Sequence, residues 1–157
     1  MKLTVVAVGR LRDGTPEAAL FRDYQTRLDR TGRALSLGPL TLSEVEDKRG
    51  TGVAGKAALL SRAVPAGAVV VVLDERGRSL SSPQLAAELA RWRDAGRQDA
   101  AFLIGAADGL DAALRDRADL AISLGRMVWP HMLARVMLAE QLYRAATILA
   151  GLPYHRA

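Results

Sequence analysis

The sequence predicts an α/β protein: an open, mostly parallel sheet with helices on both faces. Three observations lead there. Apolar, β-branched runs alternate with helical patterns along the whole chain, the order that builds parallel strands joined by crossover helices. The strongest run, "AVVVVLD" at 68–74, is apolar on both of its faces, as in a strand covered on two sides. With 157 residues, half of them apolar, and no repeat or linker, one domain spanning 1–157 is expected.

The elements follow in order. "LTVVAVG" (3–9) is a buried strand closed by Gly9. Glu17 to Arg30 is a helix with Leu20, Tyr24 and Leu28 on its apolar face. "ALSLGPLTL" (34–42) is a second strand interrupted at Gly38-Pro39, and "SEVEDKRGTG" after it is a polar, glycine-rich loop. A helix then runs to about Ala63, and Pro65-Gly67 turns the chain into the 68–74 strand. "SLSSPQLAAELARWRDAG" is a helix with Ser82 as N-cap, Pro83 in the first turn and Gly96 as stop, burying Leu85, Leu89 and Trp92. "AAFLIGA" (100–106) is a strand and "DAALRDRADL" a short helix; "AISLGRMVW" (121–129) starts as a strand and becomes a loop. Pro130 opens the last and longest helix, which runs to about Ala150 and is stopped by Gly151 and Pro153. That helix is apolar on more than one face, Val136, Tyr143 and Ala146 on one and Leu138, Leu142 and Leu149 on another, which predicts a contact surface for a second copy.

The net charge is +5 and the pI about 10.2, which favours a polyanionic partner. The charge is uneven: residues 121–157 carry four arginines against one acid, Glu140. The chain has no cysteine, so disulfides and thiolate metal sites are excluded, and two histidines far apart argue against zinc. The opening apolar run is too short for a secretory signal and no stretch approaches a membrane span, so a cytoplasmic location is expected.

Two nucleotide motifs are imitated. "GTGVAG" (50–55) matches G-x-G-x-x-G, and with Lys56 it is close to a P-loop. The context is wrong for both: "SEVEDKR" precedes it where an apolar strand should, and Ala57 stands where a P-loop has Ser or Thr for magnesium. A flexible loop is the better reading, and a nucleotide-dependent oxidoreductase remains an alternative.

Ligands of open parallel sheets sit beyond the carboxyl ends of strands. Three such ends stand out: Leu73-Asp74, Ile104-Gly105 opening into "AADGL", and Ser123-Leu124-Gly125 opening into "RMVWP". Glycines there let a ligand approach the backbone. The tail "LPYHRA" brings together an aromatic ring, an imidazole and a guanidinium, a set that can stack on a base, exchange a proton near neutral pH and pair with phosphate.

"MKLTVVAVGRLRD", "PQLAAELARWR", "FLIGAADGL", "WPHMLARVMLAEQLYRA" and "PYHRA" together resemble one family from end to end, the bacterial large-subunit ribosomal RNA pseudouridine N3-methyltransferases, minimal members of the SPOUT superfamily. One departure is Ala106, where the family's "IGG-x-x-G" has its second glycine.

The resemblance implies a SPOUT-type sheet with a deep C-terminal trefoil knot, a homodimer, and S-adenosyl-L-methionine as cofactor. It implies a pseudouridine of 23S rRNA in the assembled ribosome as substrate, with no metal and no membrane. Carried onto this chain, the cofactor residues are Leu73, Gly105, Leu124, Gly125, Arg126, Met127, Val128 and Trp129. Methyl transfer to N3 needs a positioned nucleophile and a route for its proton. His155 is the expected base, with Tyr154 orienting or stacking and Arg144 beside them. His131, Arg135 and Arg156 are expected at the substrate, although His131 also suits plain packing at a helix start. A non-enzymatic ribosome-binding or RNA-binding module would use the basic ends of the chain without a cofactor.

Overall fold

The computed structural model describes residues 1–156. In chain order the elements are β1 (Lys2–Val8), α1 (Pro16–Gly32), a 3-10 turn (Arg33–Leu35), β2 (Leu40–Val45), α2 (Gly52–Ala63), β3 (Val69–Arg78), α3 (Ser82–Asp94), β4 (Asp99–Ile104), α4 (Ala112–Asp116), β5 (Leu120–Ile122) and α5 (His131–Leu149). The strands form one sheet in the order β2-β1-β4-β3-β5, and every pairing is parallel. All five carboxyl ends therefore lie on one edge.

The central strands are apolar on both faces because both faces are covered. On one side Leu3, Val5 and Phe102 pack against Phe21 and Leu28 of α1, Leu89 and Trp92 of α3, and Leu138 and Leu142 of α5. On the other, Val6, Val72 and Leu103 pack against Ala57 and Leu60 of α2 and Leu114 of α4. Alternation of strand and helix along the sequence is thus realised as a three-layer α/β fold.

Several local expectations need correction. The second strand is Leu40–Val45 and not 34–42: residues 33–35 tighten into the 3-10 turn, and Ser36 takes a left-handed φ of 54°. "SEV" consequently belongs to β2 and not to the loop. β3 runs past Leu73 to Arg78, with a register break opposite Ile122. Gly77 is where it rejoins β5: a Cβ there would stand 2.6 Å from the backbone carbon of Ile122. The α3 N-cap is Ser81, whose hydroxyl accepts from Gln84 N while the Gln84 side chain accepts from Ser81 N, a reciprocal box that leaves Ser82 inside the helix.

α5 also differs. Val136, Leu138, Leu142 and Ala146, expected to spread over two faces with part left bare, are all buried within the chain by α1 and α3. Only Tyr143 and Leu149 of that set stay half-buried. The apolar surface left open lies in a groove beside the helix.

Candidate functional site

Three carboxyl-end loops meet in a cavity of about 370 Å³, inside the range of about 300–1,000 Å³ usual for small-molecule sites. Leu73 to Arg76 come from β3, Ile104 to Ala106 and Asp108 to Leu110 from the loop after β4, and Leu124, Gly125 and Met127 to Trp129 from the loop after β5. His131 and Ala134 from the first turn of α5 close it. Of the eight residues expected at the cofactor, all but Arg126 line this cavity; Arg126 is exposed and outside it.

Each loop has a local reason for its shape. Gly105 cannot carry a side chain because a Cβ would sit 2.7 Å from the carbonyl oxygen of Gly109. Gly109 N donates to Ala106 O at 2.9 Å, so the loop folds back on its first residue. Gly125 has φ 108°, a conformation that strongly favours glycine. Its N–H donates to the Ser123 hydroxyl at 3.1 Å, and Trp129 Nε1 donates to Leu124 O at 3.3 Å, so the 123–129 loop is closed on itself. Asp74 adds charge at the wall: one carboxylate oxygen accepts from Arg76 N at 2.8 Å, the other faces Arg115 at 3.3 Å.

Among the expected substrate residues, His131 lines the cavity, and its pKa is pushed below the ordinary imidazole value by burial first and by the Arg135 cation second. Arg135, expected at the substrate, must be reassigned. It is fully buried, and its guanidinium donates to Val8 O at 2.6 Å, to Gly9 O at 3.0 Å and to the Glu44 carboxylate at 3.1 Å. Glu44 also accepts from Leu11 N. Arg135 thus fastens the start of α5 to the carboxyl ends of β1 and β2, and no face of it is free for RNA.

Tyr154 and His155 are held against α5. Tyr154 O–H donates to Glu140 at 2.9 Å, and its ring lies 4.7 Å from Tyr143 and 4.8 Å from the Arg144 guanidinium. Arg144 donates to the same Glu140 oxygen at 2.6 and 3.0 Å and approaches His155 Nδ1 at 3.5 Å. Burial, then the Glu140 hydrogen bond, push the Tyr154 phenol well above its ordinary pKa, so it remains a donor. Arg156 is exposed. None of 154–156 lines the cavity of the same chain. Glu140 lies nine residues from His131, on the order of 13 Å along the helix axis. The structure therefore brings His131 to the strand-end cavity, and gathers Tyr154, His155 and Arg144 at a separate station on α5. Glu140, the hub of that station, entered the sequence reading as the single acid after residue 120, and that isolation among arginines was the signal available.

A groove of about 620 Å³ joins the two stations, from Leu124 and Gly125 along Val136 and Met137 to Glu140, with Leu20 and Tyr24 of α1 and Leu80 and Leu85 on its other walls. Leu20 is 45% exposed there. The strand-end cavity takes no residue from 50–55. Gly50 and Gly52 serve left-handed turns, and Gly55 sits where any Cβ would overlap the Thr51 side chain, so these glycines shape the entry to α2.

The family described as "Predicted SPOUT methyltransferase" matches residues 1–155. Proteins named "Ribosomal RNA large subunit methyltransferase H" are 67% identical in Paracoccus denitrificans and 65% in Ruegeria pomeroyi, each over 156 residues and 99% of both chains. The crystal structure of the SpoU methyltransferase AviRb from Streptomyces viridochromogenes in complex with AdoMet is 18% identical, with a TM-score of 0.41, and the match covers 96% of this chain and 59% of that one. A match over residues 1–155 and about two-thirds identity to full-length relatives make this chain a member of the SPOUT methyltransferase family.

Proposed function

We propose that the whole chain, 1–157, acts as one S-adenosyl-L-methionine-dependent methyltransferase domain whose substrate is N3 of a pseudouridine in 23S rRNA of the assembled ribosome, in the cytoplasm. The observation that carries this reading is the cavity at the three strand ends, built from loops of a chain about two-thirds identical to proteins named for large-subunit rRNA methylation.

The residues present suit the cofactor. Leu73, Ile104, Leu124 and Trp129 give an apolar wall for a purine ring, and Asp74 offers a carboxylate for hydroxyl or ammonium groups. When bound, S-adenosyl-L-methionine supplies a sulfonium methyl whose transfer leaves a neutral thioether, so no metal is required. The protein must then orient the acceptor and manage its proton. His131, held toward its neutral form, is available beside the cavity to accept a hydrogen bond or a proton. The trefoil knot belongs to this reading, with 123–130 as the segment that returns the chain from the edge strand β5 to the α1/α3 face.

The homodimer belongs to it as well. Tyr154, His155 and Arg144 sit away from their own chain's cavity, so if they serve the reaction, they serve a second copy. The apolar groove between the two stations suits that copy, because its walls run unbroken from the cofactor loop to Glu140. Arg126 and Arg156, both exposed, are the proposed contacts to RNA phosphate.

The test is methylation of ribosomes from cells lacking the modification, with mass-spectrometric mapping, alongside calorimetry with S-adenosyl-L-methionine and with NAD. Binding of the former and a methyl on one pseudouridine are expected. Ribosome binding with neither cofactor nor methylation would favour the non-enzymatic module, and NAD binding the oxidoreductase. Light scattering at micromolar concentration should give a dimer; a monomer would reject the shared site.

A further inference from the structure

The near P-loop "GTGVAGK" leaves one residue unexplained. Its glycines shape the start of α2, but Lys56 does something else: its ammonium meets Asp108 at 2.7 Å, across 52 residues of chain. Asp108 lines the cofactor cavity. We propose that Lys56 is a positioning residue for the cofactor loop, holding 105–110 through Asp108 in the form that receives S-adenosyl-L-methionine. The inference rests on the cofactor reading above.

The loop's own construction makes this tie matter. Residues 105–109 fold back on themselves through Gly109 N to Ala106 O, which fixes the loop's shape but not its attachment to the body of the protein. The Asp108 carboxylate is the loop's charged link to another layer, and α2 is part of the packed face beneath β1 and β4. The Lys56 side chain is only 22% exposed, so its stem is already held and little freedom remains to be lost when the pair forms. Lys56 holds the Asp108 carboxyl below the usual carboxylate range, so the carboxylate stays charged throughout the physiological range. Ala106 adds a reason: its side chain leaves the loop fewer alternative shapes than a glycine would, so its placement depends more on where it is anchored.

The experiment compares wild type with Lys56→Met, Lys56→Arg and Asp108→Asn, reading amide hydrogen exchange of 105–110 in the free protein and S-adenosyl-L-methionine affinity by calorimetry. K56M should speed exchange in that loop and weaken affinity about fivefold, with an unchanged melting temperature. K56R should restore both, D108N should match K56M, and the double variant should be no worse than either single one. Unchanged exchange in K56M would overturn the proposal whatever the cofactor does. Faster exchange with unchanged affinity would overturn it too, since the tie would then serve something other than the cofactor. A wild type that binds no S-adenosyl-L-methionine would instead sink the methyltransferase reading, and the positioning role with it.

Discussion

The Glu140 carboxylate accepts the Tyr154 hydroxyl at 2.9 Å across fourteen residues of chain, and so returns the tail to the middle of α5. Each partner can be removed singly. Tyr154→Phe should lower stability by about 1 kcal/mol, since the site is partly exposed and the bond is to a charged acceptor. Glu140→Gln should do at least as much, because Arg144 loses its partner as well. A double-mutant cycle by chemical denaturation measures the coupling; additive effects would mean that the bond contributes nothing in solution.

Removal of 154–157 should separate structure from chemistry. The truncated chain should fold and bind S-adenosyl-L-methionine, with stability lower by about 1–2 kcal/mol from the lost hydrogen bond and ring contact. Its methylation rate should fall about a hundredfold, the usual scale of positioned proton transfer. His155→Ala should show part of that loss, and less of it at high pH. Full-rate methylation by the truncated chain would reduce the tail to an anchor.

Arg135 should be among the most sensitive positions. Arg135→Ala takes the buried cation from Glu44, which keeps only Leu11 N, and removes the donors to the Val8 and Gly9 carbonyls, a loss of about 3–5 kcal/mol. Arg135→Met together with Glu44→Gln should recover part of it. Urea denaturation decides; a loss within 0.5 kcal/mol, roughly that of an ordinary surface substitution, would contradict the buried clamp.

His131 should titrate below the ordinary value of about 6.5. With the folded pKa depressed, the unfolded chain takes up the proton first as pH falls. The associated stability is therefore full above about pH 6.5 and is lost as pH falls through the folded pKa. NMR titration of the ring protons reads this directly. Arg135→Met should raise the His131 value only in part, because burial is the larger cause. A His131 pKa at or above the ordinary value would rule the environment out.

Gly105→Ala should break the loop before it meets any ligand, because its Cβ would face Gly109 O at 2.7 Å. Cofactor affinity should fall at least tenfold while melting changes little, since the loop lies at the sheet's edge. Unchanged affinity would remove this loop from the site.

The parallel sheet and the meeting of three strand-end loops in one cavity were legible because their causes are local. An all-apolar strand such as 69–73 announces burial on two sides, and glycines at strand ends announce close approach. Arg135 was not legible: a lone arginine near a helix start reads as a surface cation, and only the crossing of α5 over the ends of β1 and β2 buries it. Lys56 was hidden by its own motif, whose spacing suggests phosphate while its partner lies 52 residues away. Tyr154 was recognised as unusual, but its dock on Glu140 and Tyr143 depends on the chain reversing after Gly151, which composition does not specify.

The contact between Arg135 and Val8 joins residues 127 positions apart. The first strand is thus finished by the last helix. In chain order α5 follows every strand, so β1, β2 and α1 have an uncovered face until it is in place. Loops this long close slowly. Closing this long loop is therefore the step that completes the sheet's carboxyl edge, and a chain interrupted before α5 would leave the ends of β1 and β2 without their guanidinium clamp.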